Sequence, residues 1–386
     1  MKIKSPRSLR AWIVIVVPCC IINCVTADTC GKFTYTDNGK DITITGYQRD
    51  ADGAVEIPST INGRLVTSIE GDAFNGCKGV TSITIPARVA SIWDNAFSSC
   101  AGLTTITVDA SNAVYSSLDG VLFDKDQTTL IQYPGGKAGR VVIPASVTSI
   151  GDFAFHGCSM ITNVIIPDSV VNIGNWAFND CFGLSSISIP GSVSKIGNCT
   201  FSPRTGLVMI TVDSSNANYS SFEGMLFNKN RTTLISCPCC KVGSVIVPAN
   251  VARIGDSAFN SCISLTSIAI PSSVTSIGNE AFCGCSNLTG LKLPNSLTSI
   301  GRSAFFNCSR LSSVVMPAGI TSIGDDAFAF CSVLTSAIFT GNAPNMGEEV
   351  FKDTANDFTV FYLNGSTGFT SPKWKGYKAE ARAATP

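Results

Sequence analysis

"SLTSIAIPSSVTSIGNEAFCGCSNLTGLKLP", Ser264 to Pro294, states one phrase twice. Leu265-x-x-Ile268-x-Ile270-Pro271 returns as Leu288-x-x-Leu291-x-Leu293-Pro294, 23 residues later. The same interval governs most of the chain. A phenylalanine keeps it at Phe74 and Phe97, at Phe155, Phe178 and Phe201, and at Phe259, Phe282, Phe305, Phe328 and Phe351. A cysteine keeps it at Cys77, Cys100, Cys158, Cys181, Cys262, Cys285, Cys308 and Cys331. A proline joins at Pro144, Pro167 and Pro190, and again at Pro248, Pro271, Pro294 and Pro317. Three residue types locked to one period define a repeat architecture.

Two steps of the phenylalanine series are longer, 58 residues, one period plus 35. The two insertions copy each other. Val108 to Pro144 matches Val212 to Pro248 at an offset of 104 throughout. Each contains "LFDKDQTTLIQYP" or its copy, which predicts a hairpin projecting from the stack.

Within one unit, Ile268-Ala269-Ile270 alternates as a strand does. Pro271 has no N–H for the ladder and ends that strand. Val274 and Ile277 follow three apart, and Gly278 permits a turn. Asn279 reads as a helix cap, with Ala281–Phe282 forming one short helical turn. A coil of this length has too little mass to bury its own apolar side. Stacked coils share a continuous core, each adding one strand to a parallel sheet. Val and Ile at the strand positions suit that sheet. The phenylalanine plugs each coil, and its burial contributes about 1.5–3 kcal/mol. The predicted fold is therefore a β-rich repeat solenoid with a parallel sheet.

The phrase matches the leucine-rich repeat signature L-x-x-L-x-L. Variants include Leu103-x-x-Ile106-x-Val108, Leu184-x-x-Ile187-x-Ile189 and Leu311-x-x-Val314-x-Met316. The fuller phrase "IPxxVTSIGxxAFxxCxxLTSI" closely resembles the BspA-like leucine-rich repeats of bacterial and protist surface proteins, over residues 54 to 355. One departure stands out. The Asn that follows the strand in the commonest leucine-rich repeats is replaced by Pro271 to Val274, so its polar ladder is missing, and a Cys precedes the strand instead.

The domain order reads as a secretory signal (1–27), an N-terminal hairpin cap (28–53), a solenoid (54–355) with inserted hairpins at 108–140 and 212–244, and a C-terminal cap and tail (356–386). Lys2, Lys4, Arg7 and Arg10 precede the apolar "AWIVIVVPCCIINCV", and small residues precede Asp28, as a signal peptidase requires. A lipoprotein anchor at Cys24 and a retained membrane anchor are the rival readings. Phe33/Tyr35 and Ile42/Ile44 alternate around Asn38-Gly39, a hairpin signal. No later stretch is apolar enough to span a membrane. Net charge is zero and 14% of residues are charged. With no basic stripe, nucleic-acid binding has no electrostatic basis.

Catalytic candidates are few. His156 is the one histidine. Asn75, Ser98, Asn179 and Asn260 fill its place in other coils, a mixture that predicts a solvent-facing side chain. Without a second imidazole there is no His pair for a metal, and a Ser-His-Asp triad has this one candidate. No G-x-S-x-G, P-loop or H-E-x-x-H occurs. The periodic cysteines read as small apolar core residues, because free Cys is among the most buried types. Cys237, Cys239 and Cys240 differ: the other insertion has Tyr133 to Gly136 there, so the fold does not require these thiols. In an oxidising compartment they invite disulfides with one another, with Cys199 or between chains. Asp124-Lys125-Asp126 lacks the bidentate Glu of a calcium loop and reads as a polar turn.

The outward strand residues, Thr84, Thr107, Ile165, Ser188, Thr211, Ile246, Ala269, Lys292 and Val315, form a small, mostly uncharged row. It lacks the Trp, Tyr and Arg of ordinary hot spots. The insertions, with Tyr115/Tyr219 and Lys137/Lys241, are equally placed to bind. The resemblance implies attachment to proteins, cells or matrix. The sequence thus predicts an exported, non-enzymatic binding protein, secreted or held at the cell surface. It needs no cofactor or metal, binds a protein or cell-surface ligand rather than nucleic acid, and has no membrane span after signal cleavage. A self-associating envelope component is the alternative, and an enzyme using His156 or the Cys237–Cys240 cluster is the third reading.

Overall fold

Each coil contributes two strands to two parallel sheets. The computed structural model describes residues 28–201 and 205–383, so the predicted signal segment lies outside it. The longer strand of the central coil, Leu265–Ala269, pairs in parallel with Gly243–Ile246 before it and Gly290–Lys292 after it. Val245, Ile268 and Leu291 stand in register. A register shift that leaves Thr266 unpaired against the preceding strand lets both Leu265 and Ile268 enter the core, with Thr266 and Ala269 exposed. The shorter strand, Ser276–Ile277, pairs with Arg253–Ile254 and Ser299–Ile300. This second sheet, built from recurrent Ser-Ile pairs, adds to the one strand per coil that the sequence predicts. A glycine follows it in most coils, while Glu70 and Trp93 hold the place in the first two. A Cβ on Gly301 would lie 2.5 Å from the backbone of the preceding coil.

The third side of each coil corrects one expectation. None of the described residues is helical. The residue two before each phenylalanine has left-handed backbone, with φ of 53° at Glu280, 51° at Ser303 and 54° at Asp326, and one such residue interrupts any α-helix. The chain forms consecutive turns whose hydrogen bonds run between coils. The N–H groups of Phe259, Phe282 and Phe305 donate to the carbonyls of Ala281, Ala304 and Ala327, each at 2.7 Å.

Asn279 is accordingly no helix cap. Its N–H donates to Asp256 Oδ1 at 3.0 Å, and its own Oδ1 accepts from the Arg302 N–H at 2.9 Å. The same relay links Asp152 to Asn175 and Asn175 to Asn198, at 2.7 and 2.8 Å. A polar ladder is therefore present, contrary to the sequence reading. It has moved from the residues after the longer strand to the residue after the glycine.

The phenylalanines at all ten periodic positions, from Phe74 to Phe351, are at most 2% exposed. Phe259, Phe282, Phe305 and Phe328 stack with centroids 4.8, 5.0 and 4.9 Å apart and planes within 10°. Beside this column runs a ladder of thiols. Sγ of Cys100, Cys181, Cys285, Cys308 and Cys331 donates to the carbonyl of Phe74, Phe155, Phe259, Phe282 and Phe305 respectively, at 2.9 to 3.3 Å. Cys158 donates to the Tyr133 carbonyl at 3.4 Å. Cys77 and Cys262 are buried with them.

The insertions do not project from the stack. In the first, Tyr115–Leu118 and Val121–Asp124 form a hairpin, Thr129–Gln132 continues it, and that strand pairs in parallel with Ser149–Ile150 of the next coil. Leu122, Phe123 and Leu130 are at most 1% exposed. Tyr133 supplies a rung of the aromatic column, 5.1 Å from Phe155. In the second insertion Leu226, Phe227 and Leu234 are fully buried, and Cys237 takes the place of Tyr133. Apolar strand residues this dense leave a hairpin no stable place in water, so it closes over the core.

Buried asparagines anchor both insertions. Asn112 Nδ2 donates to the carbonyls of Pro86 and Val89, while its Oδ1 accepts from the N–H groups of Val114 and Tyr115. Asn216 repeats the set with Pro190, Val193, Asn218 and Tyr219.

Aromatic side chains cover both ends of the column. At the front, Phe33–Asp37 and Ile42–Tyr47 form an antiparallel pair, and Tyr47 stacks 5.3 Å from Phe74. At the back, Thr359–Leu363 and Tyr377–Arg382 extend the longer-strand sheet. Phe358 and Tyr377 lie 4.7 and 5.4 Å from Phe351.

Candidate interaction surface

The outward face of the longer-strand sheet is ruled by the inter-coil register. Thr84 stands beside Thr107, Ser188 beside Thr211, and Ala269 between Ile246 and Lys292. Apolar positions break the polar row. Val142 is 64% exposed beside Ile165, Ile246 is 68% exposed beside Ala269, and Val315 is 49% exposed beside Ile338. Val142 was missed in the sequence row. Its signal was available, because it lies 104 residues before Ile246.

A groove of about 680 Å³ crosses Gly139–Val142, Ile161–Ile165, Ser186–Ile189 and Met209–Val212 on this face. Ile165 and the half-exposed Met209 give it an apolar bed, while Arg140 stands at one side and Asp168 and Asp213 at the other. The Ser215 hydroxyl and N–H bind the Asp213 carboxylate and hold its pKa below the usual carboxylate range. The groove thus offers apolar area framed by fixed charges of both signs.

The sequence-derived catalytic candidates sit elsewhere. His156 is not solvent-facing. Its side chain is 16% exposed, with Nε2 3.3 Å from Asn179 Nδ2 and 3.5 Å from Asp180 Oδ2. Its ring stacks on Phe153 at 5.6 Å, and Phe153 lies 6.4 Å from a coplanar Trp176. Deep turns replace open surface here because neighbouring coils approach within backbone hydrogen-bonding distance. Among the described residues the ring's recorded side-chain partners are the Asn179 amide and the Asp180 carboxylate.

The thiols of the second insertion differ in exposure. Cys237 and Cys239 are buried, Cys240 is exposed and Cys199 is half-buried, each a free thiol. Cys239 and Cys240 both donate to the Thr205 carbonyl, at 2.9 and 3.3 Å, while Cys199 donates to Ser257 Oγ at 3.2 Å. Among the described residues, no three His, Cys, Asp or Glu side chains gather as metal ligands. Lys137 and Lys241 are tied to the carbonyls of Asp119 and Glu223 at 2.7 and 2.6 Å, so they brace the insertions. No helix of the described residues is long and apolar enough to cross a membrane.

Parallel strands stacked at a fixed period, with an extended outward face, define a β-solenoid repeat protein. Residues 54–136, 132–239 and 235–356 match the BspA type leucine rich repeat region in 6 copies, and the chain belongs to that family. It is similar to a leucine rich cell surface protein from Faecalibacterium prausnitzii, at 28% identity over 84% of this chain and 94% of that one, with a TM-score of 0.54. The fold also matches the pneumococcal vaccine antigen PcpA, at 21% identity over 88% of this chain and 87% of that one, with a TM-score of 0.54. No curated protein matches the sequence.

Proposed function

We propose that this chain is an exported, non-enzymatic scaffold that attaches to a protein of a cell surface or matrix through the outward face of its longer-strand sheet. The observation that carries the reading is the groove between Arg140 and Asp213. Its bed of Ile165 and Met209 supplies area that gains by leaving water, and its rim charges orient a partner. Family membership and the likeness to a cell surface protein of Faecalibacterium prausnitzii support a place outside the cell. The amide and carboxylate around His156 support a structural role for that ring.

Biolayer interferometry of the exported chain against purified matrix and cell-surface proteins tests this. A partner bound by the parent loses at least about tenfold in affinity, roughly 1.4 kcal/mol, with Met209→Glu or Ile165→Glu. Val315→Glu, far along the face, leaves the affinity unchanged. Equal binding by all three variants overturns the assignment of the groove. Self-association that is lost with the same two groove variants supports the envelope-component reading instead.

A further inference from the structure

Five exposed apolar side chains follow one corner of the stack, where the turns lead into the longer strands. Met160, Phe182, Val208, Val242 and Ile263 are between 44% and 78% exposed, one on each of five successive rungs. Backbone hydrogen bonds join those rungs in order. The N–H groups of Gly183, Gly206, Cys240 and Gly243 donate to the carbonyls of Ser159, Cys181, Leu207 and Ser264, at 2.9 to 3.2 Å. Polar residues bound the band, Lys137 on the rung before it and Ser286 and Asn287 on the rung after it.

The fold does not require this band. At the matching places 104 residues earlier, Thr104, Ala138 and Ser159 stand for Val208, Val242 and Ile263. Exposed apolar side chains gathered in one strip mark a contact with another molecule. Pitch and charge say which. The rungs rise by ~4.8 Å each, so the band is ~20 Å long. A second copy of the chain has the same pitch and meets it rung for rung, and zero net charge lets two copies approach. Charge also sets the direction. A parallel pair holds Lys137, Lys241 and Arg310 each against its own copy, which like charges oppose. An antiparallel pair turned about the rung of Val208 sets Met160 against Ile263 and Phe182 against Val242. Lys137 then faces Ser286, Lys241 faces Phe182 and Arg310 faces Ala101, so each of these cations meets an uncharged residue.

We propose that a second copy of this chain docks along the band, antiparallel, about a two-fold axis at Val208. A two-fold contact uses one patch on both partners, so the patch must suit itself. An uncharged strip of even pitch, with Val208 at its middle rung, meets that condition. Phe182 and Val242 flank the axis and lose the most contact with water, so they anchor the pair. None of the five side chains lines the groove of the outward face, and the proposal does not depend on that groove.

Sedimentation velocity of the full chain over a range of concentrations tests this, with reductant present so that the exposed Cys30 and Cys240 form no links. The parent shows a monomer–dimer equilibrium. Phe182→Glu and Val242→Glu each weaken it at least about tenfold, while Val315→Glu on the outward face leaves it unchanged. Hydrogen exchange checks the fold of each variant. Cross-linking then reads the direction of the pair. In a Cys30→Ser, Cys240→Ser background, diamide takes two electrons and two protons from a pair of facing thiols and leaves a disulfide. Val208→Cys links to its own copy, whereas Met160→Cys links only when mixed with Ile263→Cys. A monomer at every concentration overturns the proposal. So does a dimer indifferent to Phe182→Glu and Val242→Glu, or one in which Val208→Cys fails to link.

Discussion

Phe282 shows what one residue of the period does. Its ring lies 4.8 Å from Phe259 and 5.0 Å from Phe305, fully buried. Phe282→Ala removes a rung with no neighbour free to collapse into the space, and costs about 3–5 kcal/mol by urea unfolding. Lys292→Ala, on the outward face, changes stability by less than about 0.5 kcal/mol. The thiols beside the rings carry a pH signature. Burial pushes Cys100 and Cys331 from an ordinary 9.0 up to about 12. Above pH 9 the unfolded chain releases protons that the folded chain keeps, so stability is full below that pH and falls as pH rises toward 12. Urea midpoints measured across this range decline in the parent and decline less in Cys100→Ala. The identity and burial of rings and thiols were legible in the sequence, because each recurred at one interval. The thiol's bond to a carbonyl of the preceding coil was not, since a hydrogen bond across 26 residues leaves no local mark.

At the scale of the element, the insertions were read correctly as copies and wrongly as projections. Pattern gave the hairpin but not its direction. The difference lay in Phe123 and Phe227, apolar residues too large to leave in water on an isolated hairpin. The asparagine anchors were equally hidden, because one Asn in a Ser- and Asn-rich stretch resembles a turn residue. Asn216→Asp tests that anchor. The carboxylate cannot donate to the carbonyls of Pro190 and Val193, and at neutral pH it faces them with charge. The variant loses at least about 1–3 kcal/mol, read by urea unfolding, and hydrogen exchange locates the loss at Tyr219–Phe222 and Met225–Asn228.

Across the whole molecule each coil touches mainly its neighbours, so stability is a sum of short-range terms. Hydrogen exchange on Phe282→Ala therefore loosens the coils of Phe259 to Phe305 first, while the hairpin at Phe33–Asp37 keeps the parent's protection. Uniform loss of protection along the chain contradicts this. The solenoid itself was the most legible property, since the period alone demands stacking. The candidate surface was less so. Its groove depends on how four strands sit side by side, and Val142 was passed over although its counterpart Ile246 stood in the row.

The ladders also constrain how such a chain changes length. Along the Asn279 and Cys285 ladders a coil gives hydrogen bonds to the coil before it and receives them from the coil after it. Splicing in one whole coil leaves each donor facing an acceptor of the same kind, as at either junction it replaces. Splicing in one residue more or fewer puts the glycine, the thiol and the ring out of step at once. Duplication by whole units is thus nearly invisible to the fold, whereas a single-codon slip is not, and a lineage of such proteins can lengthen or shorten its reach without redesigning its interior.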